Sequence, residues 1–373
     1  MDNKLEIKPL QAWGINPARP LVIAGPCSAE TEEQMLATAR GIDTSIVQIF
    51  RAGIWKPRTR PGAFEGIGSV GLEWLKLVKA ETGLKTATEV ANVKHVYECL
   101  KAGVDILWIG ARTTVNPFAV QEIADALKGV DIPVLVKNPV NPDLALWIGA
   151  LERLNKAGIT RLAAIHRGFS AYGNSKYRNP PHWQLAIDLK RAISNIPIIN
   201  DPSHISGNAS LIPAIAQKAM DLNFDGLIIE THCTPTQAWS DKAQQITPFE
   251  LKELIQSLVL RTESTENKAA LDTLEELRTK IDQLDDELLD VIGHRMEVVN
   301  EIGTLKRNSN ISIYQSSRFD SLLRHAIEHG ARMGLSETFV EQIVKLIHQE
   351  SINHQMHIMN ASAIVNENRE ASH

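Results

Sequence analysis

The chain has 373 residues, enough for a barrel of ordinary size and a smaller second domain. Its formal charge is −5 at pH 7, with 39 basic and 44 acidic residues mixed along it, which leaves no basic footprint for nucleic acid and no polybasic membrane arm. Three widely spaced cysteines, Cys27, Cys99 and Cys233, argue against a disulfide framework and for a reducing, cytoplasmic setting.

The first residues, MDNKLEIKPLQAW, contain no apolar core of signal-peptide length, and nowhere do about 18 apolar residues run uninterrupted, so a soluble, unexported protein is expected. Eight strand-length apolar runs follow: LVIA (21–24), IVQIF (46–50), LKTAT (84–88), VDILWIG (104–110), PVLVK (133–137), RLAAIH (161–166), PIIN (197–200) and GLIIE (226–230). They are continuous rather than alternating, as in parallel strands buried on both faces, and amphipathic stretches of helical length separate them. The pattern predicts a (β/α)8 TIM barrel over 1–260, closed by the helix TPFELKELIQSLVL (247–260). In such a barrel the loops after the strands build the catalytic face, so Cys27, Arg51, Glu89, Arg112, Lys137, Arg167, His204 and Glu230 should converge.

The linker 261–270, RTESTENKAA, lacks apolar periodicity and marks the domain boundary. Beyond it Leu274, Leu277, Ile281, Leu284, Leu288, Val291, Val298, Ile302 and Leu305 form a stripe spaced by threes and fours. That spacing predicts a helix of nearly forty residues, too long for the rest of the chain to cover, so its apolar face calls for a second subunit. Helices over 317–332 and 336–359 complete an all-α domain, 271–360, and the tail 361–373 should fray.

Cys27, His204, Glu230 and Asp241 combine a thiol, an imidazole and two carboxylates at or after strand ends, the first three in GPCS, DPSH and ETHCT. Such a mixed set suits a divalent transition ion without fixing which, since Mn, Fe, Co or Zn could all be held; Mn or Fe is the expectation for the cell, and His232 and Cys233 rank lower as competing ligands. Each residue alone reads more simply as a core Cys or a satisfied His. Only their joint placement points to a metal. Around them stand Lys56, Arg58 and Arg60 in KPRTR, Arg112 in GART, Lys137 in VKNP and Arg167 in HRGF. Arg forks and Lys point charges together suit substrates bearing phosphate and carboxylate. Isolated loop arginines are commonly just solvated, but recurrence after successive strands is not explained that way.

GPCS, KPRT, GART, VKNP, HRGF and DPSH, in this order, resemble the 3-deoxy-D-arabino-heptulosonate 7-phosphate (DAHP) synthases over residues 15–260. The resemblance implies condensation of phosphoenolpyruvate with erythrose 4-phosphate and release of phosphate. It assigns Cys27, His204, Glu230 and Asp241 to the metal, and Arg112, Lys137 and Arg167 to phosphoenolpyruvate. Lys56, Arg58 and Thr59 go to the aldose phosphate, with Arg178 of the divergent loop SAYGNSKYRNPPHW as a further candidate. The sister synthases that make 3-deoxy-octulosonate 8-phosphate carry an Asn-containing motif in place of KPRT, which disfavours that alternative.

In the helical domain Arg295 takes the place of an apolar knob between Val291 and Val298 and must find a partner there. Lys306, eleven residues on, lies about 20° round the helix on the same face, whereas Arg278 points elsewhere. Ser351 and Gln355 put polar groups into the seam begun by Val344 and Ile347. Residues 271–360 resemble the all-helical chorismate mutases through LRTKID (277–282), HRMEVVNEIGTLK (294–306), Arg318 and ESINHQ (350–355). That likeness implies rearrangement of chorismate to prephenate without a cofactor. Arg295, and Arg278 from the other subunit, would grip the carboxylates, Lys306 and Gln355 the ether oxygen, and Arg318 and Ser351 would belong to the same substrate site. Gln315 and Phe319 depart from the acidic residues common in bacterial relatives. The competing reading is a non-catalytic dimerising and sensing module. Because the barrel pattern starts near the N-terminus, the helical domain is also expected to sense prephenate or chorismate on behalf of the barrel.

Overall fold

The computed structural model describes residues 5–15, 19–57, 62, 64–173, 175–262 and 264–370. Its chain forms two compact units, 1–263 and 264–373.

In the first unit eight parallel strands close into a barrel in sequence order. They are β1 (Leu21–Gly25), β2 (Ile49–Arg51), β3 (Lys85–Val90), β4 (Ile106–Ile109), β5 (Val134–Lys137), β6 (Leu162–His166), β7 (Ile198–Asn200) and β8 (Gly226–Glu230). β1 and β8 close the ring in register, Leu21 opposite Gly226 and Gly25 opposite Glu230. Alternate residues explain the continuous apolar runs. Ile23, Ile49, Trp108, Leu135, Ile165, Ile199 and Ile228 pack with Trp13 in one cluster. Their neighbours Val22, Phe50, Leu107, Val136, Ala164 and Leu227 pack in another, with the surrounding helices.

Two boundaries of this unit differ most from the sequence expectation. β2 begins at Ile49 because Ile46 and Val47 both donate backbone N–H to the Asp43 carbonyl in a turn. The last barrel helix, Pro248–Ser257, stops early: Leu258 turns extended, and Val259 N–H is taken by Gln217 Oε1 at 3.0 Å. Its start is firm, with Thr247 and Glu250 forming a reciprocal capping box. β1 ends at Gly25 with φ +146°, where a Cβ would lie 2.1 Å from the Arg51 carbonyl oxygen. Glycine alone lets β1 run beside β2 into the GPCS loop.

The second unit holds three helices: a long one (Lys268–Asn308), a middle one (Ser316–Arg332) and a last one (Glu337–Glu370). The long helix has 41 residues, and Asn267 caps it inside the expected linker by accepting from Ala270 N–H. The last helix extends to Glu370 through the segment expected to fray, which contains no Pro or Gly to stop it. Gly303 brings the long and last helices close, its missing side chain facing the Gln355 backbone. Among the described residues no helix is long and apolar enough to cross a membrane.

Candidate active site

The expected convergence is present at the carboxyl ends of the strands. Lys56, Glu89, Arg112, Lys137, Arg167, His204 and Asp241 line one cleft. Arg58, Thr59 and Arg60 lie outside the described residues.

Ligand atoms of Cys27, Glu230 and Asp241 all lie within 4.8 Å of one another. The Cys27 Sγ is 3.2 Å from Asp241 Oδ2 and accepts from Lys56 Nζ at 2.7 Å. His204, the fourth expected ligand, stands beside this group with Nε2 3.6 Å from Glu230 Oε1. Its Nδ1 faces Asp201, 2.8 Å from Oδ2. A ring that donates from Nδ1 to a carboxylate keeps an Nε2 lone pair free, the arrangement a metal-binding His requires.

Electrostatics of the site fit a divalent cation. Burial, reinforced by Glu230, pushes the Cys27 thiol up to about 12, and the Lys56 ammonium only partly opposes this. Burial also works to raise Glu230 and Asp241, yet neighbouring basic groups hold both below the usual carboxylate range, His204 and Arg51 at Glu230, Arg178 and Lys56 at Asp241. Three groups able to carry negative charge thus crowd one point, ringed by basic groups. An ion there would neutralise the carboxylates and stabilise the thiolate. His232 and Cys233 are turned away, His232 toward Glu30 and Cys233 toward Thr38 and Gln34.

The cation set beside it is equally built. Lys137, 5% exposed, pairs with Asp201 at 3.2 Å. Arg167 bonds Asn179 Oδ1 at 2.8 Å, and burial brings it down to about 10, with Arg178 and Arg112 adding like charge. Arg178 meets Asp241 Oδ1 at 2.9 Å and Gln244 Oε1 at 2.6 Å. Arg112 is exposed at the rim. Arg51, on the list of converging residues but given no role, is buried against Glu230 at 3.1 Å and lies over the Trp108 ring. Sequence reasoning missed Asp201. It caps the short helix Pro202–Ser206, orients His204 and anchors Lys137. The signal was present: an acid three residues before the His of DPSH.

In the helical unit Arg295 and Ser351 meet, NH1 donating to Oγ at 2.6 Å. Gln355 is 8% exposed; its Nε2 donates to the Ser351 carbonyl, and its buried Oε1 has no hydrogen-bond partner among the described residues. Lys306 Nζ donates to the Ile313 carbonyl at 2.6 Å. His348, one turn from Ser351 and tilted against the Phe319 ring, has its pKa lowered by burial and then by the nearby charges of Arg295 and Lys306. Arg278 and Arg318 stand exposed, Arg278 only 3.7 Å from Glu275 of its own helix. The partner that Arg295 required is a hydroxyl, so its charge remains available to an anion.

Comparison with known proteins identifies both units. Residues 13–267 match the DAHP synthetase I family. The chain belongs to that family. Residues 277–356 match chorismate mutase type II, so a DAHP synthase and a chorismate mutase domain are fused in one shikimate-pathway enzyme. A phospho-2-dehydro-3-deoxyheptonate aldolase of Thermotoga maritima is 32% identical over 238 residues, 64% of this chain and 68% of that protein. A 2-dehydro-3-deoxyphosphooctonate aldolase of Wolinella succinogenes is 28% identical over 272 residues, 65% of this chain and 99% of that protein. The crystal structure of a Thermotoga maritima DAHP synthase superposes with TM-score 0.60 at 28% identity, covering 68% of this chain and 72% of that one. Membership of the DAHP family, not the sister octulosonate group, is what these likenesses favour.

Proposed function

We infer that the barrel condenses phosphoenolpyruvate with erythrose 4-phosphate and releases phosphate, and that the helical unit converts chorismate to prephenate. The observation that carries the first activity is the joining of a thiol, imidazole and carboxylate cluster to Lys56, Arg112, Lys137, Arg167 and Arg178 at one cleft. Cys27, Glu230 and Asp241, with His204 beside them, would hold a divalent ion such as Mn or Fe, which would supply Lewis-acid polarisation of the aldehyde oxygen. Lys137 and Arg167 hold the phosphate and carboxylate of phosphoenolpyruvate, because one is a buried and the other a half-buried cation, each with spare donors. Arg112 closes over it from the rim. Lys56 and Arg178 take the aldose phosphate, joined by Arg58 and Thr59 of the same KPRT motif. A chelator is expected to abolish phosphate release and added Mn to restore it; release that survives chelation refutes the ligand assignment.

For the mutase, Arg295 and Ser351 bind a carboxylate and Lys306 and Gln355 the ether oxygen. The carrying observation is the partnerless Gln355 Oε1 in a seam with two cations. The rearrangement needs restriction and charge at the breaking bond, and no proton transfer. The exposed stripe Leu277, Ile281, Leu284, Leu288 and Val291 supports a homodimer through the long helix, which would bring Arg278 and Arg318 to a shared pocket. Prephenate or chorismate bound there is further proposed to restrain the barrel, by about 1 to 3 kcal/mol of coupling. Synthase turnover that ignores saturating prephenate would refute that regulation.

A further inference from the structure

The loops that carry the metal donors are fastened to each other by residues that line no part of the cleft. Cys27 lies on the β1 loop and Asp241 on the β8 loop, where φ is +48°. A non-glycine residue keeps that left-handed conformation only when its surroundings fix it. Two sets of contacts do so. Gln245, 2% exposed, accepts from the Cys27 N–H at 3.0 Å and donates to the Ser240 carbonyl at 2.8 Å, so one amide spans both loops. Glu30, 4% exposed, accepts from the Trp239 N–H at 2.7 Å, two residues before Asp241. The Ser28 hydroxyl, next to Cys27, bonds that of Ser240 and lies 3.4 Å from the same Glu30 oxygen. Behind Glu30, His232 accepts from the Thr234 N–H at Nδ1, which leaves its ring proton on Nε2, 3.5 Å from the other carboxylate oxygen.

We propose that Glu30 and Gln245 are positioning residues that assemble the donor set before the ion arrives, by holding the β8 loop against the β1 loop. This rests on reading Cys27, Glu230 and Asp241 as metal donors. The need for such a clamp follows from the cluster itself. Its ligand atoms lie within 4.8 Å of one another, yet Cys27 belongs to the β1 loop while Glu230 and Asp241 come from the end of β8 and its loop, so without an ion it is contacts between these two segments that keep the sulfur within reach of both carboxylates. Lys56, Arg51 and Arg178 also touch the donors but come from other segments of the barrel. The Gln245 and Glu30 bonds run directly between the two that must meet. Outer partners of this kind commonly set metal affinity by about 10- to 100-fold.

The test is cobalt binding to the full chain stripped of metal, read by the sulfur-to-cobalt charge-transfer absorption and fitted for Kd. Glu30→Ala and Gln245→Leu should each raise Kd by about 10- to 100-fold while reaching the parental band at saturation, with Glu30→Gln, which still accepts from Trp239, closer to the parent. Leu254→Ala, in the outer helix of the barrel, serves as a packing control that lowers the melting temperature and leaves Kd unchanged. A Kd for Glu30→Ala and Gln245→Leu within twofold of the parent overturns the clamp. Should Glu30→Ala fail to fold, Gln245→Leu decides alone. If the parent itself shows no charge-transfer band, or Cys27→Ser retains it, the donor assignment fails rather than the clamp alone.

Discussion

Replacement of Arg295 by Ala separates a mutase from a mere dimeriser. Its guanidinium is half-buried, donates to Ser351 Oγ at 2.6 Å, and makes no ion pair with a carboxylate among the described residues. Burial alone lowers its pKa, which is the mark of a charge kept without compensation. A bound carboxylate would supply that compensation through one or two charge-assisted hydrogen bonds, together about 3 to 5 kcal/mol. Arg295→Ala should therefore cut kcat/KM for chorismate by roughly 10² to 10⁴. Stability should hardly change, because an uncompensated cation is being removed from a partly apolar seam. A shift of less than about 0.5 kcal/mol would move the melting temperature by about 4 °C or less. Arg295→Lys should still lose at least about tenfold, since a point charge does not reproduce the planar fork. Chorismate consumption and thermal melts on the same preparations decide the matter. Turnover within threefold of the parent, or a loss explained by unfolding, would refute the assignment.

Three further expectations concern the scaffold. His166 is fully buried, with Nε2 on the Pro181 carbonyl and Nδ1 accepting from Asn200, and burial lowers its pKa to about 4. The unfolded chain takes up this proton near 6.5 while the folded barrel stays neutral until about 4. Stability is therefore lost as pH falls through that window, by at most about 3 kcal/mol from this residue, and His166→Gln should flatten the slope in denaturant titrations. Gly25→Ala would set a Cβ 2.1 Å from the Arg51 carbonyl, and the resulting overpacking and strain should cost about 3 kcal/mol, read as a lower urea midpoint. Charges in the exposed stripe, Ile281→Glu with Leu288→Glu, should give monomers in sedimentation and remove mutase turnover; a monomeric parent would refute the dimer.

The barrel was legible because each strand is buried on both faces, so its run of apolar residues is continuous and ends where a polar loop residue must face the cleft. Cys27, Lys137 and Glu230 could be placed from that rule alone. Asp201 left a local trace, an acid three residues before His204, but Glu30 and Gln245 left none, because their importance lies in what they touch between loops far apart in sequence. β2 was begun three residues too early because a turn held by the Asp43 carbonyl looks apolar from Ile46 and Val47. In the helical unit the periodicity gave the seam, and Arg295 within it betrayed the anion site. Arg278 and Arg318 remain exposed in a single chain, since the stripe beside Arg278 finds no cover in its own unit.

The most direct measurement follows phosphate release and chorismate loss together in samples of the intact chain supplied with phosphoenolpyruvate, erythrose 4-phosphate, chorismate and Mn. A fused enzyme gives both signals, the first lost on chelation and the second independent of metal. Phosphate release without chorismate loss would contradict the mutase and leave a sensing, dimerising domain in its place, and chorismate loss without phosphate release would contradict the synthase.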